Sequence, residues 1–225
     1  MVIPKPPASI LLDLDGTLTD SVPDLCAAGN HVLAELGLPI RDEDEARQYI
    51  GNGVERFMKR MLTGRLEAEP TAVDFAAVME RFNAYYQANV AVHTTLFPGV
   101  REGLEVLAGV APLGVITNKA SSFTRALLEH FGLTALFGVV VAGDTLARKK
   151  PDPLPLQHAC ATLGATPSAS LMVGDSRHDV TAARAAGMAV VCVSYGYNHG
   201  EPIAASNPDA IIDRLTDLPR VWAQD

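Results

Sequence analysis

Apolar and polar positions alternate along this chain in two different rhythms. Five short apolar runs, at residues 10–14, 113–117, 139–142, 170–173 and 189–193, have the length of buried strands. Around the later four, residues 100–107, 121–130, 153–163 and 179–186 carry apolar side chains at helical spacing. Strands alternating with helices predict an α/β fold, a parallel sheet with helices on both faces. The interval between the first two strands breaks the alternation. There the spacing is helical over residues 24–36, 43–49, 54–62 and 72–89, with breaks at Gly37-Leu38-Pro39 and Gly51-Asn52-Gly53. Phe97-Pro98-Gly99 marks the return of alternation. This interval is too long for one crossover helix and predicts a helical domain inserted into the α/β one. The expected division is residues 1–18 and 92–225 for the core and 19–91 for the insert.

In an open parallel sheet, ligands bind beyond the carboxyl ends of the strands. The polar residues that end each run are therefore the candidates for chemistry. The first run delivers Asp13 and Asp15 into a Gly16-Thr17 turn. Side chains at i and i+2 of a strand share a face, and two neighbouring acids resist joint ionisation. The pair reads either as a strand end with an Asp-Gly turn, or as a carboxylate nucleophile with an acid/base neighbour, held together by a metal. The second run ends in Thr117-Asn118-Lys119, whose first two side chains are neutral donors suited to phosphoryl oxygens. The same triplet is a fair helix start. Arg148-Lys149-Lys150-Pro151-Asp152-Pro153 follows the third run, and the proline biases Lys150 towards extended backbone. A solvated basic turn is the alternative. The fourth run ends in Gly174-Asp175, with Asp179 four residues on, on the same side of a helix start. Each piece alone has a bland reading. Together they place acids and cations suited to a metal-phosphate site at three of the four strand ends.

An aspartate that attacks a phosphate monoester needs that company. Its charge and the −2 of the phosphate, about 4 Å apart, repel by roughly 8 kcal/mol at an effective dielectric near 20. Mg²⁺ would supply two positive charges there, and Lys150 one more. On this reading Asp13 and Asp175, with a backbone oxygen of Asp15, hold the ion. Asp15 protonates the leaving alkoxide and later activates water.

Bulk properties narrow the partners. The 225 residues include 18 basic and 26 acidic side chains, a net charge of −8. That argues against nucleic acid or an anionic membrane as partner, and leaves room for a local cationic pocket. No run approaches the ~20 apolar residues of a membrane span, and residues 1–9 contain no apolar stretch of signal-peptide length. Cys26, Cys160 and Cys192 are scattered, as thiols of a reducing compartment are. The expectation is a cytoplasmic monomer or homodimer. The histidines show no ligand spacing, and His178, beside Asp179, is the one placed to touch the site.

Asp13-Leu14-Asp15-Gly16-Thr17-Leu18, Thr117-Asn118, Lys150-Pro151 and Gly174-Asp175-x-x-x-Asp179, in that order, resemble the four motifs of the haloacid dehalogenase superfamily. A helical interval directly after the first motif resembles its cap-bearing branch. The resemblance implies a Rossmann-like core, a mobile helical cap that sets specificity, and Mg²⁺-dependent phosphoryl transfer through an aspartyl-phosphate. It implies Asp13 as nucleophile, Asp15 as acid/base, and Mg²⁺ on Asp13, the backbone carbonyl of Asp15, and Asp175. Asp179 would support the metal ligands from behind, while Thr117, Asn118 and Lys150 hold the phosphoryl group. Asp15 also favours O-phosphate esters, because the dehalogenase branch typically lacks the second aspartate. Residues 47–56, 92–100 and 195–203 are similar to those of bacterial phosphoglycolate phosphatases. This implies a small phosphorylated carboxylic acid as substrate, 2-phosphoglycolate first. Gly51, Asn52 and Gly53 would bring backbone close to the ligand, and Arg47 or Arg56 would meet its carboxylate. A plain helix–helix turn with solvated arginines is the alternative there. A phosphosugar phosphatase or phosphosugar mutase of the same superfamily is the second expectation.

Overall fold

Three residues buried on both sides form β1 (Ile10–Leu12), the centre of the computed structural model, which describes residues 1–71 and 73–223. Ile10 and Leu12 face one apolar cluster, with Val115, Val173 and Val191. Leu11 faces the other, with Ile116, Met172 and Cys192. Covering on both faces is why this strand reads as an unbroken apolar run.

The chain continues through β2 (Thr19–Asp20), α1 (Val22–Glu35), α2 (Glu43–Tyr49), α3 (Val54–Thr63), α4 (Phe75–Asn89) and β3 (Thr95–Leu96). Then follow α5 (Val100–Ala108), β4 (Leu113–Ile116), α6 (Ser121–His130), β5 (Phe137–Val141), α7 (Leu154–Thr162) and β6 (Leu171–Gly174). The last elements are α8 (Arg177–Ala186), β7 (Ala189–Val193), β8 (Ala210–Ile212) and α9 (Leu218–Ala223). The main sheet runs β5-β4-β1-β6-β7-β8, and every pairing in it is parallel. This is the expected α/β, Rossmann-like sheet, with one strand more than the apolar runs predict. That strand, β8, is three residues long at the sheet edge, with Ile211 43% exposed, so it carries no unbroken buried run. The first strand also ends sooner than expected, and Asp13 already lies beyond it.

Helices α1 to α4 fill the interval between β1 and β4, as its spacing predicts. The predicted start of the fourth helix, Ala72, lies outside the described residues. α4 itself begins at Phe75, where the Asp74 carboxylate accepts the Ala76 and Ala77 N–H groups. Phe57, Met58, Met61, Phe82 and Tyr86 form the buried seam of these helices. β2 and β3 pair antiparallel where the chain leaves and rejoins the sheet, Thr19 opposite Leu96. Beside them the buried Asp24 carboxylate of α1 accepts the His93 and Thr94 N–H groups and the Thr94 hydroxyl at 2.7–3.0 Å. Among the described residues no helix is long and apolar enough to cross a membrane.

Candidate active site

In the sheet register Leu12 lies beside both Val115 and Val173. The residues that follow, Asp13, Thr117 and Asp175, therefore stand together on the carboxyl rim. Asp13 Oδ1 meets Lys150 Nζ at 2.8 Å and accepts the Leu14 N–H at 2.7 Å. Lys150 Nζ also reaches Asp179 Oδ1 at 2.6 Å. Asp179 uses its other oxygen to accept the N–H groups of Asp175 and Ser176 and the Ser176 hydroxyl, at 2.9–3.2 Å. This is a capping box at the start of α8. Asp175 accepts the Thr17 hydroxyl at 2.9 Å and the Tyr197 N–H at 2.8 Å. The turn that carries Thr17 needs Gly16: its φ is +89°, and a Cβ there would lie 2.3 Å from Asp175 Oδ2.

The carboxylates of Asp13, Asp175 and Asp179 offer oxygens within 4.8 Å of one another, all buried. Burial pushes the Asp13 carboxyl well above its usual range; Lys150 pulls it down, while Asp179 and Asp175 push it up. Burial and then Asp179 raise Asp175 to about 7. Burial alone would lower the Lys150 ammonium, but Asp13 and Asp179 outweigh it and hold it above the ordinary lysine value. Three buried acids thus share one lysine. A set of hard oxygen donors short of positive charge fits a hard divalent cation.

Asp15 faces a different partner. Its Oδ1 accepts the Ser21 hydroxyl at 2.6 Å, and Lys119 Nζ sits 3.1 and 3.2 Å from its two oxygens. Lys119 also donates to the Tyr86 hydroxyl of α4 at 2.7 Å, above whose ring it lies 4.9 Å from the centroid. Burial, with the charges of Asp15 and Asp24, holds that phenol well above its ordinary value, so it stays neutral. Lys119, Ser21 and Tyr86 are absent from the candidates read off the sequence. Lys119 stands in the Thr117-Asn118-Lys119 triplet and reads there as a helix start, whereas Tyr86 carries no signal beyond its place in an apolar stripe.

Thr117 accepts the Lys119 N–H on its hydroxyl oxygen at 3.2 Å and keeps its own proton to donate. Asn118 spends its amide NH₂ on two carbonyls, those of Gly51 and Lys150, each at 2.9 Å. Its Oδ1 is buried and has no partner among the described residues. Gly51, Asn52 and Gly53 approach the core as backbone: Lys149 Nζ donates to the Asn52 carbonyl at 2.9 Å. The Asn52 amide lies 2.9 Å from His178 Nε2. His199 Nδ1 donates to the Gln48 carbonyl at 2.9 Å, with its Nε2 3.2 Å from His178. Burial, then the neighbouring His199, depress His178 to about 4. Burial lowers His199 too, so both rings are neutral near pH 7.

A cavity of about 30 Å³ opens between Asp13, Asp15, Thr117, Asn118 and Lys119 on one side and the insert on the other. The insert contributes Leu25, Ile50, Gly51, Gly53, Val54 and Phe57. Arg47 does not line it: its guanidinium lies 3.6 Å from Asp20 and stacks on Tyr197, 5.1 Å from the ring centroid. Arg56 is engaged with Glu67 and Glu69.

A parallel Rossmann-like sheet with a helical insert after its first strand, and a lysine-braced acid cluster at its carboxyl rim, is a phosphoryl-transfer architecture. The profile of one family, haloacid dehalogenase-like hydrolase, matches residues 10–193, and the chain belongs to that family. It is 46% identical over 221 residues to the phosphoglycolate phosphatase of Nitrosococcus oceani, covering 98% of each chain. It is 44% identical to that of Thiobacillus denitrificans, over 95% of each. The crystal structure of a predicted phosphoglycolate phosphatase from Haemophilus somnus superposes with a TM-score of 0.89 at 38% identity, covering 96% of this chain and 98% of that one.

Proposed function

We propose that this protein is a Mg²⁺-dependent phosphomonoesterase that hydrolyses 2-phosphoglycolate to glycolate and phosphate. One observation carries the reading: Asp13 is paired with Lys150 inside a buried carboxylate cluster, while its neighbour Asp15 is turned to a separate lysine. The two aspartates are thus prepared for different tasks. The relatives named phosphoglycolate phosphatase, at 44–46% identity over nearly the full chain, support the choice of substrate.

An Asp13 carboxylate oxygen attacks phosphorus, and the bond to the glycolate oxygen breaks. Asp15 gives that oxygen its proton. Water then attacks the aspartyl-phosphate, Asp15 takes a proton from it, and Asp13 is regenerated. Lys150 and the Thr117 hydroxyl hold the phosphoryl oxygens, and Asp179 keeps Lys150 in place. Asp13, Asp175 and the backbone carbonyl of Asp15 would hold Mg²⁺, which supplies neutralising charge at the phosphoryl oxygens. Residues 19–91 serve as the cap over the leaving group, with Gly51 to Gly53 contributing backbone and Asn118 holding that backbone in place.

The test is phosphate release from phosphorylated small acids and sugars, with Mg²⁺ and with a chelator. The expected result is a preference for 2-phosphoglycolate, loss of turnover on chelation, and a loss of at least about a thousandfold in Asp13→Asn. Full turnover by Asp13→Asn would sink the mechanism. Equal rates across the substrates would remove the substrate and leave the phosphatase.

A further inference from the structure

The leaving-group side of the cavity poses a charge problem. A substrate that carries a carboxylate beyond its phosphate brings that second anion in among Asp13, Asp15 and the apolar side chains of Leu25, Ile50, Val54 and Phe57. An unpaired carboxylate in such a place is strongly disfavoured. Lys150 does not line this cavity; it sits between Asp13 and Asp179, on the phosphoryl side. Arg47 and Arg56 are engaged elsewhere and do not line the cavity. Among the described residues that line it, Lys119 is the single cation.

We propose that Lys119 is the specificity-determining cation that receives the substrate's own carboxylate. The proposal rests on the phosphomonoesterase reading above and adds the residue that reads the leaving group. Its geometry suits the task. The side chain is 1% exposed, and its ammonium is held between the Asp15 carboxylate and the Tyr86 hydroxyl. An incoming carboxylate meets a desolvated cation that is already aimed into the cavity and already bound to a group of the same chemistry. Tyr86, reaching in from α4, fixes Lys119 from the insert side. The cavity is small, about 30 Å³, where one water needs about 10–15 Å³.

The test compares 2-phosphoglycolate with ethylene glycol monophosphate, an ester of similar size whose leaving group is uncharged. In Lys119→Met the expected loss of kcat/KM on the acid is about 10- to 100-fold, mostly in KM, the worth of a hydrogen bond to a charged group. The uncharged ester also loses the partner of Asp15, so its activity falls too, but its loss should be at least about tenfold smaller than the acid's. Lys119→Arg, which keeps the cation, should recover part of the preference. An equal loss on both esters would overturn the proposal and leave Lys119 as a positioning residue for Asp15. No phosphate release by the wild-type protein from either ester would fell the phosphomonoesterase reading itself, and the proposal with it. If Lys119→Met does not fold, the wild-type protein decides. Glycolate should then compete with substrate where ethylene glycol does not, and equal competition by the two would overturn the proposal.

Discussion

Asp13 and Asp175 are held in the folded protein where their charged forms are least welcome. Burial drives both carboxyls upward, Asp175 to about 7, and Lys150 offsets only part of this. Between the ordinary carboxylate range and about pH 7 the metal-free fold therefore binds more protons than the unfolded chain. Their contribution to stability falls as pH rises through that window. His178, depressed to about 4, works in the opposite sense between there and the ordinary histidine value. The absolute pH slope thus mixes two effects, and a difference separates them. A divalent ion displaces the protons of its ligands, so the rise in Tm caused by Mg²⁺ should grow from about pH 5 to about pH 8. Thermal unfolding with and without Mg²⁺ at each pH measures it. A gain that does not vary with pH would show that these two carboxyls are not ligands.

Among the elements, α8 does more than cover the sheet. Its third residue, Asp179, closes the capping box with Ser176, fixes the turn after β6, and anchors Lys150 from the loop after β5. Asp179→Ala leaves Lys150 with one carboxylate in place of two and uncaps the helix. A loss of about 1–2 kcal/mol is expected, from the lost cap and one charged hydrogen bond, because Lys150 keeps Asp13. Asp179→Asn keeps an acceptor for the cap and should lose less; denaturant unfolding of both variants ranks them. Among the strands, the most plainly legible in the sequence are those buried on both faces. β1, β4, β6 and β7 read as apolar runs because neither face meets water. β8 escapes because an edge strand of three residues has no pattern to show, and the β2–β3 ribbon escapes because two residues have no period. The acids at the strand ends are legible for a related reason: a buried strand that stops at a polar residue announces where it stops. The pairing of Lys119 with Tyr86 spans 33 residues and three intervening elements, β3, α5 and β4, and nothing local in the chain encodes it.

At the scale of the molecule, part of the insert's hold on the core runs through its own backbone. The carbonyls of Gln48, Gly51 and Asn52 accept from His199, Asn118 and Lys149, three core side chains. Such a clasp tolerates changes in the insert's side chains and depends on the core's. Its bonds are few, each worth about 0.5–1.5 kcal/mol net, with Lys149 at the upper end as a charged donor. Removing two of them should therefore shift the insert towards an open arrangement without unfolding either part. Neither Lys149 nor His199 touches the carboxylate cluster, so the chemistry itself is left in place. For the double variant Lys149→Ala, His199→Ala we expect a radius of gyration about 1 Å above the ~17 Å of a compact chain of this length. KM should rise several-fold with little change in kcat, because substrate binding must first close the insert. Small-angle scattering and steady-state kinetics on the same preparation check both. An unchanged radius together with an unchanged KM would mean that the apolar seam of Leu25, Ile50 and Phe57 holds the insert shut, and that the clasp sets only its register.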